Sequence, residues 1–286
     1  MRRPRDGPPS SHPAPGSGGR TGADVDLSSI EPLYSISGFA VGLLVGFTGV
    51  GGGSLMTPLL VLMFGVHPAT AVGTDLLYAA ITKSAGAAMH GFNRTVDWRV
   101  TGLLAIGSVP AALVTLLLLH RIGHSHDTAK LISVALGYAL LATAVSFVLR
   151  RYVLAIASRL RKETPDLRRT AFLTVFTGVV LGAIVTLSSV GAGALGITAL
   201  MLLYPLLPIA RIVGSDIAHA VPLTLAAGLG HWAMGSVDWA MLASLLLGSI
   251  PGILVGSHFA PRMPEALLRG LLAGVLTIVG GKLAFG

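Results

Sequence analysis

The feature that most limits what this chain can fold into is a series of apolar segments, each long enough to cross a bilayer, arranged in two matching sets. The first set covers roughly 36–63, 68–90, 100–120 and 130–150, and the second 170–204, 209–233, 239–258 and 266–284. Most hold about 20 residues, the length a helix needs to span the hydrocarbon layer. Charged residues make up 11% of the chain and hydrophobic ones 53%, with a mean hydropathy of +0.78. A soluble domain carries about a quarter charged residues. So few charges cannot cover a surface that faces water, and the outer surface is read as lipid-facing. The expected fold is an all-α polytopic membrane protein with seven or eight transmembrane helices.

The two sets are copies of one unit. Gly38, Gly42, Val50, Gly51 and Gly53 match Gly178, Gly182, Val190, Gly191 and Gly193 at an offset of 140. After one inserted residue the offset becomes 141, and Gly73-Thr-Asp75 matches Gly214-Ser-Asp216, His90 matches His231, and Val96-Asp-Trp98 matches Val237-Asp-Trp239. Gly107-Ser-Val-Pro110 matches Gly248-Ser-Ile-Pro251 in the same register. The boundaries read as a tail over 1–31, a first repeat over 32–150, a basic loop over 151–169 and a second repeat over 170–286. In each copy the first segment is too long for one span and is interrupted, after Phe47 in one and after Leu187 in the other. If each broken segment crosses once, the halves have four spans and are parallel. If each turns back, the halves are inverted. The inverted arrangement also fits the charges, with Arg94/Arg99 inside and the charge-poor turn Gly235–Asp238 outside, and eight crossings is the arrangement expected here.

Residues 1–31 are rich in Pro, Gly, Ser and Arg and carry too few apolar residues to build a core, so a disordered tail is expected. The interval Arg150–Arg169 holds seven basic residues against Glu163 and Asp166, which marks it as cytoplasmic by the positive-inside rule. Eight crossings then place the N-terminus, the Arg94/Arg99 turn and the C-terminus on the cytoplasmic side of the membrane. The net charge of +8 serves this topology and offers no continuous basic face with interleaved aromatics, so nucleic acid is not a partner. The bilayer is the first partner this implies, and a homo-oligomer is compatible with such a surface. The absence of cysteine removes disulfides, thiolate metal sites and cysteine nucleophiles. His120, His124, His126 and Asp127 crowd one turn, but a loose turn without cysteine is read as polar surface, so neither metal nor cofactor is expected.

The break Gly46-Phe-Thr-Gly-Val-Gly-Gly-Gly-Ser54 with Pro58, Gly73-Thr-Asp75, the run from His90 to Val96-Asp-Trp98, and the echo Gly235-Ser-Val-Asp-Trp239 together resemble the sulfite exporter TauE/SafE family. The resemblance runs from about residue 36 to the C-terminus. It implies a bacterial permease that moves sulfite, sulfonates or related organic acids. The second break departs from the pattern, reading Leu187-Ser-Ser-Val-Gly-Ala-Gly193 in place of a triple glycine.

The residues themselves point to a transport site. A helix interrupted inside a bilayer frees backbone groups that are tolerated only against protein or a water-filled cavity. Gly51, Gly52, Gly53, Gly191 and Gly193 let an anion approach the backbone, and Ser54, Thr57, Ser188 and Ser189 add hydroxyl donors, against the plainer reading of close helix packing. Lys83 is a cation within the second span, suited to an anion or to an acidic partner. Asp75 and Asp216 are intramembrane carboxylates, each costing about 2.5–3.5 kcal/mol to insert, and suit proton coupling unless they merely cap helices. His90 and His231 follow fifteen residues later, where a histidine couples protons or closes a helix end. Asp97-Trp98 and Asp238-Trp239 read as caps at the membrane interface, and Arg211 as a rim charge. The competing functions are an intramembrane aspartyl-type enzyme using Asp75 and Asp216, and a non-transporting partner protein. The former lacks the expected Gly-x-Gly-Asp motif, and the latter has no need of broken helices in both halves.

Overall fold

The computed structural model of the chain describes residues 31–48, 53–123, 126–160, 166–259 and 265–285, and among these it is helical with short connections. Among the described residues five helices fall in each half: α1 (Pro32–Thr48), α2 (Gly53–Leu62), α3 (Pro68–Phe92), α4 (Trp98–Ile122) and α5 (His126–Leu160), then α6 (Leu167–Ser188), α7 (Ala194–Leu203), α8 (Ile209–Ala233), α9 (Trp239–Phe259) and α10 (Glu265–Phe285). The tail 1–30 lies outside the described residues. The interval expected as a loop over 151–169 is largely helix where it is described, because α5 continues to Leu160 and α6 begins at Leu167 behind its N-cap Asp166.

Each broken segment turns back on itself. Phe64, just beyond α2, stacks on Tyr34 in the first turn of α1, with ring centroids 4.9 Å apart. Tyr204, at the end of α7, meets Thr174 of α6 through hydroxyls 2.8 Å apart. The reversal is made by residues that tolerate left-handed backbone: in the second hairpin φ is 57° at Ser189, 120° at Gly191 and 132° at Gly193. Side chains rarely adopt such φ values, so glycine is required at 191 and 193, while alanine fits between them. The single crossing expected of each broken segment is therefore replaced by a hairpin.

Close helix approaches fix the directions of the rest. Gly38 of α1 packs against Leu245 of α9 and Gly42 against Ser249, where an added Cβ would stand 2.5 Å from the Ser249 carbonyl. Both numbers rise together, so α1 and α9 run parallel. Gly178 against Leu104 and Gly182 against Ser108 make the same parallel contact between α6 and α4. By contrast, Gly73 of α3 meets Ser236 at the end of α8, Leu77 meets Gly228, and Gly214 at the start of α8 meets Thr95 after α3. Equivalent helices α3 and α8 thus run antiparallel, and the two halves are inverted with respect to one another. Paired bonds repeat the symmetry: Asp97 N–H donates to Ser215 Oγ at 2.8 Å and Asp238 N–H to Thr74 Oγ1 at 3.1 Å.

Inversion changes which ends lie together. The start of α1 and the end of α10 sit at one end of the bundle, and the Arg94/Arg99 turn and Asp166 at the other. The expectation that all four share a side held only for single crossings. Apolar packing follows the same division: Val41, Met56, Leu60 and Tyr78 with Leu242 and Leu245 form a core near the α1 start, and Val100, Leu104, Leu200 and Ile212 another at the far end.

Candidate functional site

The inverted pair α3 and α8 carries the polar residues that the bundle buries. Lys83 lies at the middle of α3. Its counterpart at offset 141 is Thr224, and the antiparallel register set by Leu77 against Gly228 brings Lys83 and Thr224 to nearly the same level. The pseudo-two-fold axis therefore passes beside the lysine, which the second half does not duplicate. Lys83 Nζ donates at 2.8 Å to the carbonyl of Ala192, in the break between α6 and α7. The N-cap of α7 is Gly193, which supplies no side chain to the first N–H groups of that helix. One end of a broken helix thus holds the ammonium by a carbonyl, and the other directs uncapped N–H groups and a positive dipole end toward the same gap.

The two aspartates flank this centre. Asp75 and Asp216 are both buried, each eight residues before the axial position on its helix. At 1.5 Å per residue that is roughly 12 Å to either side, and roughly 20–24 Å from one carboxylate to the other. Asp75 accepts a hydrogen bond from Thr57 Oγ1 of α2 and has Ser189 of the second hairpin beside it. Asp216 lies against Gly196 in the first turn of α7, where an added Cβ would collide with its Oδ1. Lys83 exerts its field on both. The arrangement is a column of carboxylate, ammonium and carboxylate.

Buried polar atoms are paired in the great majority of proteins, and a buried unpaired one requires an explanation. Among the described residues Asp75 Oδ1, both oxygens of Asp216, Tyr78 Oη, Ser189 Oγ, Ser249 Oγ, and Nδ1 of His219 and His231 lack hydrogen-bond partners along α3, α8, the second break or the adjoining α9, with Thr143 Oγ1 of α5 the one such atom elsewhere. Such a concentration fits a place where a polar ligand and protons are received.

Sequence reasoning singled out the aspartates and the lysine as candidates and passed over Tyr78, His219, Ser108 and Ser249, which the structure buries beside them. Tyr78 and His219 match at offset 141, and each stands three residues after its aspartate, on the same helical side. The available signal was a polar side chain recurring at equivalent places inside apolar helices. The serines lie in the Gly-Ser-x-Pro motifs, whose prolines drew the attention instead.

The remaining candidates fall into place as follows. Gly53 begins α2, whereas Gly51, Gly52 and the side chain of Ser54 lie outside the described residues. Ser188 Oγ donates to Ile184 O at 2.7 Å and accepts from Val190 N–H at 3.2 Å, so it supports the turn rather than facing a ligand. Thr74 and Ser215, not the neighbouring aspartates, take the cross-half capping bonds. His90 Nδ1 pairs with Thr95 Oγ1 at 2.8 Å, which ties down the end of α3. His231 is buried, with Nε2 3.0 Å from the Thr186 carbonyl, and packs beside Gly73, two residues from Asp75. Within one helix an aspartate and histidine so spaced cannot meet; inversion instead sets the histidine of one half against the glycine of the other half's Gly-Thr-Asp motif. Asp97 caps α4 through Arg99 and Val100, and Asp238 accepts from Met241 N–H at 2.9 Å.

The chain matches known proteins along nearly its whole helical length. The family described as sulfite exporter TauE/SafE matches residues 34–283. A probable membrane transporter protein, YjnA of Bacillus subtilis (strain 168), is 42% identical over 250 residues, covering 87% of this chain and 97% of the relative. A second from the same organism, YdhB, is 28% identical over 251 residues, covering 86% and 97%. A probable sulfite/organosulfonate exporter TauE of Cupriavidus necator is 24% identical over 260 residues, covering 88% of each chain. No solved structure matches.

Proposed function

The chain belongs to the sulfite exporter TauE/SafE family of membrane transporters, and we propose that it is a secondary transporter moving a small anion such as sulfite, a sulfonate or a related organic acid across the bacterial inner membrane. The observation that carries this reading is the central Lys83, held at a helix break on the pseudo-two-fold axis and flanked by Asp75 and Asp216. A single cation at mid-depth attracts an anion from either side. The broken helix adds backbone N–H donors, an arrangement that transporters with inverted repeats use near the midplane. The unpartnered carboxylate oxygens are suited to taking up protons as the anion passes, which couples the flux to a proton gradient.

The aspartyl-enzyme alternative needs two carboxylates facing one another across one water. A separation of roughly 20 Å along antiparallel helices argues against that chemistry. Orientation follows from charge. Arg94, Arg99, Arg159, Arg168, Arg169 and Arg211 gather at one end of the bundle, and the positive-inside rule makes that end cytoplasmic. The start of α1 then faces the periplasm, opposite to the sequence expectation. Uptake of labelled sulfite, taurine and small carboxylates into proteoliposomes, with and without a pH gradient, tests the function. Folded protein that moves none of these anions under either condition sinks the reading.

A further inference from the structure

Two polar pairs related by the pseudo-two-fold axis lie on either side of Lys83 and are built from both halves. On one side, Tyr78 of α3 lies beside Ser249 of α9. On the other, His219 of α8 lies beside Ser108 of α4, with Nε2 and Oγ 2.8 Å apart. Each serine stands two residues before the proline inside its helix, Pro110 or Pro251. All four side chains are buried, with relative exposures of 0%. The two pairs differ in state. The imidazole is engaged through Nε2 and open at Nδ1, while the phenol and the Ser249 hydroxyl lie close together and neither reaches full hydrogen-bond geometry. Removing two hydroxyls from water without giving either a full hydrogen bond is unfavourable. They are therefore kept available for a ligand, between Asp75 and the central ammonium.

We propose that Tyr78 and Ser249 are substrate-binding residues that select oxyanions, donating two hydrogen bonds to separate oxygens of an anion drawn in by Lys83, and that His219 with Ser108 performs the corresponding role on the other side of the axis. The proposal rests on the anion-transport reading above. A phenol and a hydroxyl side by side suit a ligand carrying at least two acceptor oxygens on one atom, as in a sulfite, sulfonate or carboxylate group, and discriminate against a monatomic anion.

The test is Y78F and S249A, each assayed for anion uptake in proteoliposomes and for melting temperature in detergent. Phenylalanine removes one oxygen and fills the same space, so Y78F should melt at the wild-type temperature or above it, because an unpaired buried hydroxyl disappears. Its KM for the transported oxyanion should rise about tenfold or more, with Vmax within about threefold, since a hydrogen bond to a charged ligand is lost. S249A should show the same split, and H219N a smaller rise in KM. A KM within about threefold of wild type in both Y78F and S249A, with transport intact, overturns the assignment and leaves the transporter reading standing. Wild-type protein that moves no oxyanion at all overturns both.

Discussion

Replacing Lys83 with methionine removes one ammonium while keeping a straight side chain of similar length, so it isolates the charge at the centre of the bundle. An ammonium and an anion about 4 Å apart attract by about 4 kcal/mol at an effective dielectric near 20, which corresponds to roughly a thousandfold in affinity. Part of this is offset, because the ammonium already interacts with Asp75, Asp216 and the Ala192 carbonyl, and the anion must compete with them. The expected rise in KM for K83M is therefore about a hundredfold. Removing the donor also leaves the Ala192 carbonyl unpaired, at a cost of about 1–3 kcal/mol, so a modest fall in melting temperature accompanies it. K83R keeps the charge and should recover a substantial part of the affinity. The assay is initial uptake rate against anion concentration in proteoliposomes, with melting temperature as the control for folding. A folded K83M protein with the wild-type KM would refute the assignment of the lysine as the anion's counter-charge.

Three further outcomes follow from the same geometry. D75N and D216N should each abolish uptake driven by a pH gradient while leaving anion exchange down its own gradient; gradient-driven uptake that survives in either variant removes that residue from coupling. G42A and G182A should each lower the melting temperature, because their Cβ atoms meet the backbone of Ser249 and Ser108 and overpacking costs about 1–3 kcal/mol, whereas G102A, with nothing within 4 Å of its Cβ, should not. The chain has no native cysteine, so single cysteines report topology directly: E31C should react with an impermeant reagent from the periplasm and R168C only after permeabilisation, and labelling of both from one side contradicts the inverted arrangement.

The sequence made the helical architecture and the repeat legible because lipid leaves few alternatives. An apolar run of about 20 residues has to be a helix, and rare residues such as Asp75 and Asp216 mark equivalent places when they recur. The direction of the broken segments was not legible. A glycine-rich interruption permits a straight continuation or a reversal, and the choice depends on contacts far apart in sequence, such as Tyr34 with Phe64 and Tyr204 with Thr174. The role proposed for Tyr78 and His219 was hidden for a related reason. A phenol in an apolar helix is ordinary, and Tyr78 becomes a candidate only when Ser249, from the other half of the chain, stands beside it.

Inversion is also what turns a list of candidates into a path. Read along one helix, Asp75, Tyr78 and Lys83 are three polar residues on the way inward from one side. The second half supplies Asp216 and His219 in the opposite direction, so the same sequence of carboxylate and hydrogen-bonding side chain leads to the same lysine from the other side. Thr224 replaces a second lysine at the axis, and this substitution matters electrostatically. Two ammonium groups at that point would repel each other and hold an anion too firmly to release it, whereas one can be shared between Asp75 and Asp216. On the proposed reading, a near-symmetric scaffold with a single unduplicated centre presents equivalent approaches to both faces of the membrane. That is the minimum that alternating access to one anion site requires.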